Sequence, residues 1–277
     1  MAALPAASQR RVCKVLRVSR ARFLSMRSPE SPPKAELNEA LTAAVHHLIV
    51  EHPTFGYRRI WAMLRFRLGL KVNRKAVYRI LRLKRWFVHQ RVATPRPRVQ
   101  GLRSRSARSN ERWAMDMTHI DCGPDGWAHL AAVIDCHDRE LIGYELALRG
   151  RAKEAERALE EACLARFGTL RPPGPTPVIR SDNGLIYQSR RFRSAGRNYR
   201  LRQEFITPYT PEQNGIIERF FRSLKEECVW QHNFSSFAEA RMAVMHWIDW
   251  YNESRPHQAL GYRSPRQYRA QQLELAA

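Results

Sequence analysis

Residues 111–122 read ERWAMDMTHIDC. Apolar and polar positions alternate here as they do along a β-strand with one buried face. GPDG (123–126) is a turn signal, and WAHLAAVIDC (127–136) and ELIGYELAL (140–148) are two further apolar runs. The spacing predicts an antiparallel meander of three strands. Asp116 falls in the middle of the first strand, among apolar neighbours. A carboxylate so placed is expensive unless it is paired or bound to a metal.

Working outward, RAKEAERALEEACLARFG (151–168) predicts a helix closed by Gly168, TPVIRSDNG (176–184) a short strand running into a loop, and LRQEFI (201–206) another strand. TPYTPEQNGIIERFFRSLKEE (207–227) predicts a helix from Pro211 on, with Ile216, Ile217, Phe220, Phe221 and Leu224 at helical spacing. Residues 236–255 and 264–276 predict two more helices. Three antiparallel strands followed by alternating helix and strand make a mixed α/β domain.

Two more acids stand out beside Asp116. Asp182 ends the strand VIRSD where Asn183 and Gly184 turn the chain, and Glu218 sits on the apolar helix. Three converging carboxylates repel one another and raise their pKa values. A divalent cation removes that penalty, and oxygen ligands of this hardness suit Mg²⁺ or Mn²⁺. Each acid has a plainer reading: Asp116 as a solvent-facing strand residue, Asp182 as an ordinary turn residue, Glu218 as the partner of Arg222 one helical turn on. Spacing alone does not choose between the two.

Upstream the texture differs. The chain has 277 residues, 44% of them hydrophobic, and a formal net charge of +22. Of its 48 Lys and Arg, 25 lie in residues 1–110 against 4 of its 26 Asp and Glu. So one-sided a charge points to a polyanion, most often nucleic acid. Residues 8–26 hint at two short basic helices, the second capped by Ser19, and SPESPPK (28–34) is a break. ELNEALTAAVHHLIVEHP (36–53), YRRIWAMLRFRLG (57–69) and VNRKAVYRILRLKRW (72–86) predict three helices, the third N-capped by Asn73. Its apolar stripe is Val77, Ile80 and Leu81, and Arg74, Lys75, Arg79, Arg82 and Lys84 lie mostly off it. Such a trihelical unit suits a helix-turn-helix module with its third helix in a major groove. Residues 89–110 form a basic, Pro-containing linker, with Arg91, Arg96, Arg98, Arg103, Arg105 and Arg108 in its last twenty positions.

Five cysteines form no C-x-x-C pair, which argues against a disulfide framework or structural zinc and fits a reducing cytoplasm. No apolar run approaches the ~18 residues of a membrane span. A cytoplasmic, nucleoid-associated protein is expected.

The context of the acids is distinctive. Asp182 and Glu218 have 35 residues between them, and around them stand SDNG, Tyr187, TPYTPEQNGIIERFFRSLK and YNESRPHQALGYRSPRQY (251–268). Here the sequence resembles the transposases of bacterial insertion sequences, the OrfB-type products with a retroviral-integrase-like catalytic core. The resemblance runs from FGYRRI (55–60) to Tyr268. It implies a ribonuclease-H-like core over residues 111–270, preceded by a basic helical extension (1–30), the helix-turn-helix-like module (35–88) and the linker (89–110). It places Asp116, Asp182 and Glu218 on the family's acidic triad, holding two Mg²⁺ ions about 4 Å apart, with Mn²⁺ as a substitute. It implies a transposase that nicks DNA at element ends and joins the freed 3′-OH to another phosphodiester. An oligomer on DNA and an upstream frameshift partner are implied as well. Asn214, Arg222 and Lys225 would share a helix side with Glu218, with Arg222 and Lys225 on DNA phosphates and Gly215 admitting a close approach. Asp135 reads as structural. Arg180 stands where the family often has His. His257 reads as a surface residue of a packing segment, and the adjacent His46 and His47 have no C-x-x-C partner for a zinc module. Two other readings stay open: a helix-turn-helix DNA-binding regulator with an inert core, and a ribonuclease-H-like nuclease without joining activity.

Overall fold

A computed structural model describes residues 9–19, 38–88, 106–207 and 210–276. The chain divides into two compact units, Met1–Ala44 and Val45–Ala277. In the first, the described residues form α1 (Gln9–Val15) and the opening of α2 (Glu39–Glu51). The Asn38 side chain starts α2 by accepting the Leu41 N–H at 2.9 Å. The second short helix expected in residues 8–26, the 28–34 break and most of the linker lie outside the described residues.

In the second unit, α2 ends before Pro53. It is followed by α3 (Tyr57–Ala62) and α4 (Arg74–Lys84). The sequence predicts one regular helix to Gly69, but α3 widens into a π-helical turn at Met63–Arg67. The Leu68 and Leu70 N–H groups then reach the Met63 and Leu64 carbonyls at 3.0 and 2.9 Å, satisfying acceptors that a helix end would otherwise leave bare. The α4 helix begins as expected, with Asn73 accepting the Lys75 N–H at 2.8 Å. Val77, Ile80 and Leu81 are buried, and Arg74, Lys75, Arg79 and Arg82 are exposed.

The α/β part is a five-stranded sheet of β1 (Arg112–Asp121), β2 (Trp127–Asp135), β3 (Leu141–Ala147), β4 (Val178–Ser181) and β5 (Arg202–Phe205), in the order β3-β2-β1-β4-β5. The meander β1-β2-β3 is antiparallel, and β4 and β5 run parallel to β1. Strand alternation divides the core. Trp113, Met115, Ala131, Val133 and Ile179 face α5 (Ala152–Phe167), which presents Ala155, Ala158, Leu159 and Ala162. Gly168 closes α5 in the left-handed conformation, φ 67°. The α5 helix lies so close to β3 that a Cβ on Gly143 would stand 2.2 Å from the Ala158 carbonyl oxygen.

Ala114, Ile120, Leu130, Ala132 and Ile134 face the other way, against α8 (Gly215–Glu227) and α9 (Phe237–Glu253). The apolar stripe of α8 is buried as its spacing predicts, behind a 3₁₀ turn at Pro211–Asn214. Between β4 and β5 lie α6 (Leu185–Gln188) and α7 (Arg190–Asn198), and α10 (Pro265–Ala276) ends the fold. Asp135 has the structural role expected of it, accepting the N–H groups of Asn110 and His137 at 2.7 and 2.8 Å. Beside it, Arg166 pairs with Asp138 and Glu140 at 3.0 Å. Among the described residues no helix is long and apolar enough to cross a membrane, and all five cysteines are free and buried.

Candidate active site

Ala114 of β1 pairs with Arg180 of the parallel β4. Two residues further along each chain come Asp116 and Asp182. In a parallel pair side chains of equal parity share a face, and neighbouring strands lie about 4.8 Å apart. By this alternation Asp116 leaves β1 on the face that α8 covers, and Asp182 directly follows the last residue of the neighbouring β4. Glu218 stands on the first full turn of α8 and is exposed.

Asp116 accepts the Met117 N–H at 2.8 Å. Burial pushes its carboxyl up to about 7; the Met117 hydrogen bond works against this, and the charges of Asp182 and Glu218 add to it. Asp182 accepts the Gly184 N–H at 2.9 Å in an Asx-type turn. Gly184 is dictated by that turn, because a Cβ there would stand 2.9 Å from Asp182 Oδ1.

Two residues shape this site that the sequence reading did not single out for it. Tyr187 is buried, and its hydroxyl has no hydrogen-bond partner among the described residues. Burial, then the charges of Asp116 and Asp182, hold its pKa well above the usual phenol range, and its ring packs on Phe192 in the core on the α5 side, centroids 5.3 Å apart. Arg180, two residues before Asp182, is buried on the α8 side. Its guanidinium grips Glu204 of β5 through Nε and Nη2 at 3.1–3.2 Å and donates from Nη1 to the Gln213 carbonyl at 3.0 Å. Gln213 in turn accepts the Thr207 N–H at 2.9 Å.

The other expected contacts are distributed as follows. Asn214 is buried, with Oδ1 unpartnered among the described residues. Arg222 pairs with Glu226 at 2.8 Å, one turn on, rather than with Glu218 one turn back. Lys225 is half-buried. A Cβ on Gly215 would meet nothing within 4 Å among the described residues. His257 is not a surface residue: it is buried against Tyr251, ring centroids 4.8 Å apart. His46 packs on Trp86 at 4.9 Å.

Among the described residues no three His, Cys, Asp or Glu side chains are gathered closely enough to hold a metal ion. The donor chemistry at the site nonetheless fits a hard divalent cation. All three groups are carboxylates, and they lie near enough for Asp182 and Glu218 to raise Asp116.

A five-stranded mixed sheet in the order β3-β2-β1-β4-β5, with parallel strands beside an antiparallel meander and helices on both faces, defines an integrase-type, ribonuclease-H-like core. Comparison with known proteins agrees. Integrase core domain families match residues 106–211 and 199–265, and an HTH-like domain family matches residues 36–93. The chain is 32% identical over 231 residues to Transposase InsD for insertion element IS2A/D/F/H/I/K of Escherichia coli, covering 81% of this chain and 76% of that protein. It matches Transposase InsD for insertion element IS2-9 of strain K12 equally well over 75% of its length. In structure it resembles a chain of a simian T-cell lymphotropic virus intasome solved in complex with the PP2A regulatory subunit B56 gamma. That likeness has a TM-score of 0.50 at 20% identity, over 81% of this chain and 73% of that one, and it supports the fold. The chain belongs to the insertion-element transposases with an integrase core, and it is a DNA transposase.

Proposed function

We propose that this transposase nicks DNA at the ends of its element and joins the freed 3′-OH to a second phosphodiester, with Asp116, Asp182 and Glu218 as the catalytic triad. The observation that supports this reading is the parallel β1–β4 pairing, which brings the segments of Asp116 and Asp182 next to each other, together with the upward pull of Asp182 and Glu218 on the Asp116 carboxyl. These three carboxylates would hold two Mg²⁺ ions, or Mn²⁺ in their place, which when bound supply Lewis-acid stabilisation to the attacking and leaving oxygens. In the first reaction a water oxygen bonds to phosphorus as the P–O3′ bond breaks, leaving a 5′-phosphate and a free 3′-OH; in the second that 3′-OH bonds to the target phosphorus as the target's own P–O3′ bond breaks. Only the nucleophile changes, so one site serves both.

The chain's own residues set the geometry. Arg180 fixes the end of β4 to the start of α8 and so aims Asp182 and Glu218 together. Arg222 and Lys225 receive phosphates beside Glu218, and the buried Asn214 supports the turn that leads into that helix. Arg74, Lys75, Arg79 and Arg82 form the exposed face of α4, where they meet the duplex backbone.

In domain terms, residues 1–30 form a basic extension, 35–88 the DNA-binding module, 89–110 the linker and 111–270 the catalytic core. Handling two DNA ends calls for an oligomer on DNA, and the frameshift product of an upstream frame is its expected partner.

The test uses labelled DNA carrying the inverted ends that flank the gene, incubated with the protein and Mg²⁺ or Mn²⁺. Joined products that disappear in Glu218→Gln are the expected result. Full metal-dependent cleavage by Glu218→Gln would remove Glu218 from the triad.

A further inference from the structure

The side of α8 next to Glu218 forms one wall of a cavity of about 710 Å³, within the range of ligand pockets. Ile216, Arg219, Phe220 and Ser223 supply that wall. The start of α3 brings Tyr57 and Arg58, the β2–β3 turn brings Arg139, and the RPHQALGY segment brings Arg255 and Tyr262.

Three observations about this cavity are independent of the triad. The first is charge. Five arginines line it, counting Arg59, against a single acid on the described wall, Glu226, which is engaged by Arg222. Behind the wall Glu227 alone serves both Arg59, at 2.9 Å, and Arg255, at 2.6 Å. Arg58 and Arg219 are exposed and form no ion pair among the described residues. The surplus is felt locally: burial, with Arg255 and Arg219 nearby, brings the Arg59 guanidinium down to about 10.

The second is backbone strain. Gly261 and Tyr262 are consecutive left-handed residues, φ 65° and 67°. A bulky aromatic rarely adopts that conformation, and its cost persists where the surroundings impose it, often at a functional site. Here it sets the Tyr262 ring on the cavity wall. His257, whose carbonyl accepts the Tyr262 N–H at 2.8 Å, is the buried anchor of this turn. The third is a second aromatic ring, that of Tyr57, on the same wall.

Cationic walls interleaved with aromatic rings track a nucleic-acid strand and stack its bases. A duplex is too wide for a cavity of this size, whereas one nucleotide fits. The cavity lies within a helix width of Glu218, about 10 Å, or roughly three phosphates along one strand. We propose that this cavity receives an unpaired nucleotide of the substrate DNA beside the scissile phosphate, with Arg219 and Arg58 on its phosphate and Tyr262 and Tyr57 against its base. This rests on the reading that DNA is cut at Glu218.

The test uses the full-length chain and a fluorescent oligothymidylate, with binding followed by anisotropy over a salt series. Arg219→Ala is expected to weaken binding about fivefold to tenfold and to reduce the slope of log K against log salt by about 0.7. Tyr262→Leu is expected to weaken it about tenfold with the slope unchanged. Arg241→Ala, an exposed arginine on α9, is expected to change neither quantity, and binding to a closed duplex is expected to be insensitive to Tyr262→Leu.

If Arg219→Ala and Tyr262→Leu bind the oligonucleotide as Arg241→Ala does, the proposal is overturned. The same outcome follows if their losses are the same on closed duplex. Cleavage assays on Glu218→Gln report separately. Retained cleavage there, with the two binding defects present, would sink the triad and with it the cavity's place beside the scissile phosphate, leaving the cavity as a single-strand binding site.

Discussion

The Arg180 guanidinium donates to the main-chain carbonyl of Gln213 at 3.0 Å while holding Glu204. One buried side chain thus joins the strand that ends in Asp182 to the turn that starts the helix of Glu218. Removing it takes a charged donor from the Gln213 carbonyl and leaves Glu204 to Arg112, at 3.2 Å. An unsatisfied buried polar group costs about 1–3 kcal/mol. Arg180→Ala is expected to lower stability in denaturant titration by about 2 kcal/mol and to reduce kcat for cleavage more than DNA affinity. Arg180→Lys, which keeps the charge but loses the two-pronged geometry, is expected to restore part of the stability and less of the rate.

His257 gives the protein a defined sensitivity to acid. Burial, together with Arg255, Arg139 and Arg59, holds its imidazole well below the ordinary 6.5. The unfolded chain takes up a proton near 6.5 and the folded chain does not, so stability is present above that pH and is lost as pH falls through it. The slope from this one group is at most about 1.4 kcal/mol per pH unit. Chemical denaturation at pH 7.5 and pH 5 is expected to show a loss about 2 kcal/mol larger in the wild type than in His257→Gln; equal losses would mean the imidazole is protonated in the fold.

Two glycines beside the carboxylates are expected to respond in opposite ways to alanine. At Gly184 the new methyl meets Asp182 Oδ1 at 2.9 Å and forces the carboxylate out of its turn, so cleavage should fall at least tenfold with a thermal shift of only a few degrees. At Gly215 the methyl meets nothing among the described residues, and alanine favours the helix by about 0.8–1 kcal/mol. Gly215→Ala should therefore melt higher. Weaker DNA binding by that variant is the sign that a strand passes close to the α8 backbone.

Gly143→Ala tests the sheet itself. The new methyl would lie 2.2 Å from a helix carbonyl and 2.6 Å from the Ala162 nitrogen. Neither is a side chain that can swing away, so α5 must lift off β3. Overpacking of this kind costs about 1–3 kcal/mol or more, and the expected readout is a lower Tm with activity lost in proportion to unfolding.

The readable parts of this protein were those carried by local pattern. Alternation and apolar runs placed β1, β2 and β3, with Asp116 in mid-strand, and Gly168 marked a helix stop. The basic face of α4 and its Asn73 cap were equally plain. What escaped depends on distant partners. Arg180 reads as one more cation until Glu204 and Gln213, 24 and 33 residues away, close on it. Arg222 has glutamates a turn away on both sides, and only the fold chooses Glu226. His257 looked superficial because its cover comes from Tyr251 and Arg255, which the helix before it folds back over the ring. The widening of α3 at Met63–Arg67 leaves no mark in the apolar spacing.

The shared carboxylate of Glu227 has a mechanical meaning. It closes α8 and is clasped from one side by Arg59 of α3, on which α4 packs, and from the other by Arg255. On the proposed reading, in which α4 grips the duplex and α8 carries Glu218, the Arg59–Glu227 ion pair joins the two beside the Trp61–Tyr262 and Phe55–Trp250 ring contacts. Under that reading, a duplex seated out of register would pull on the same carboxylate that anchors the end of the helix bearing Glu218.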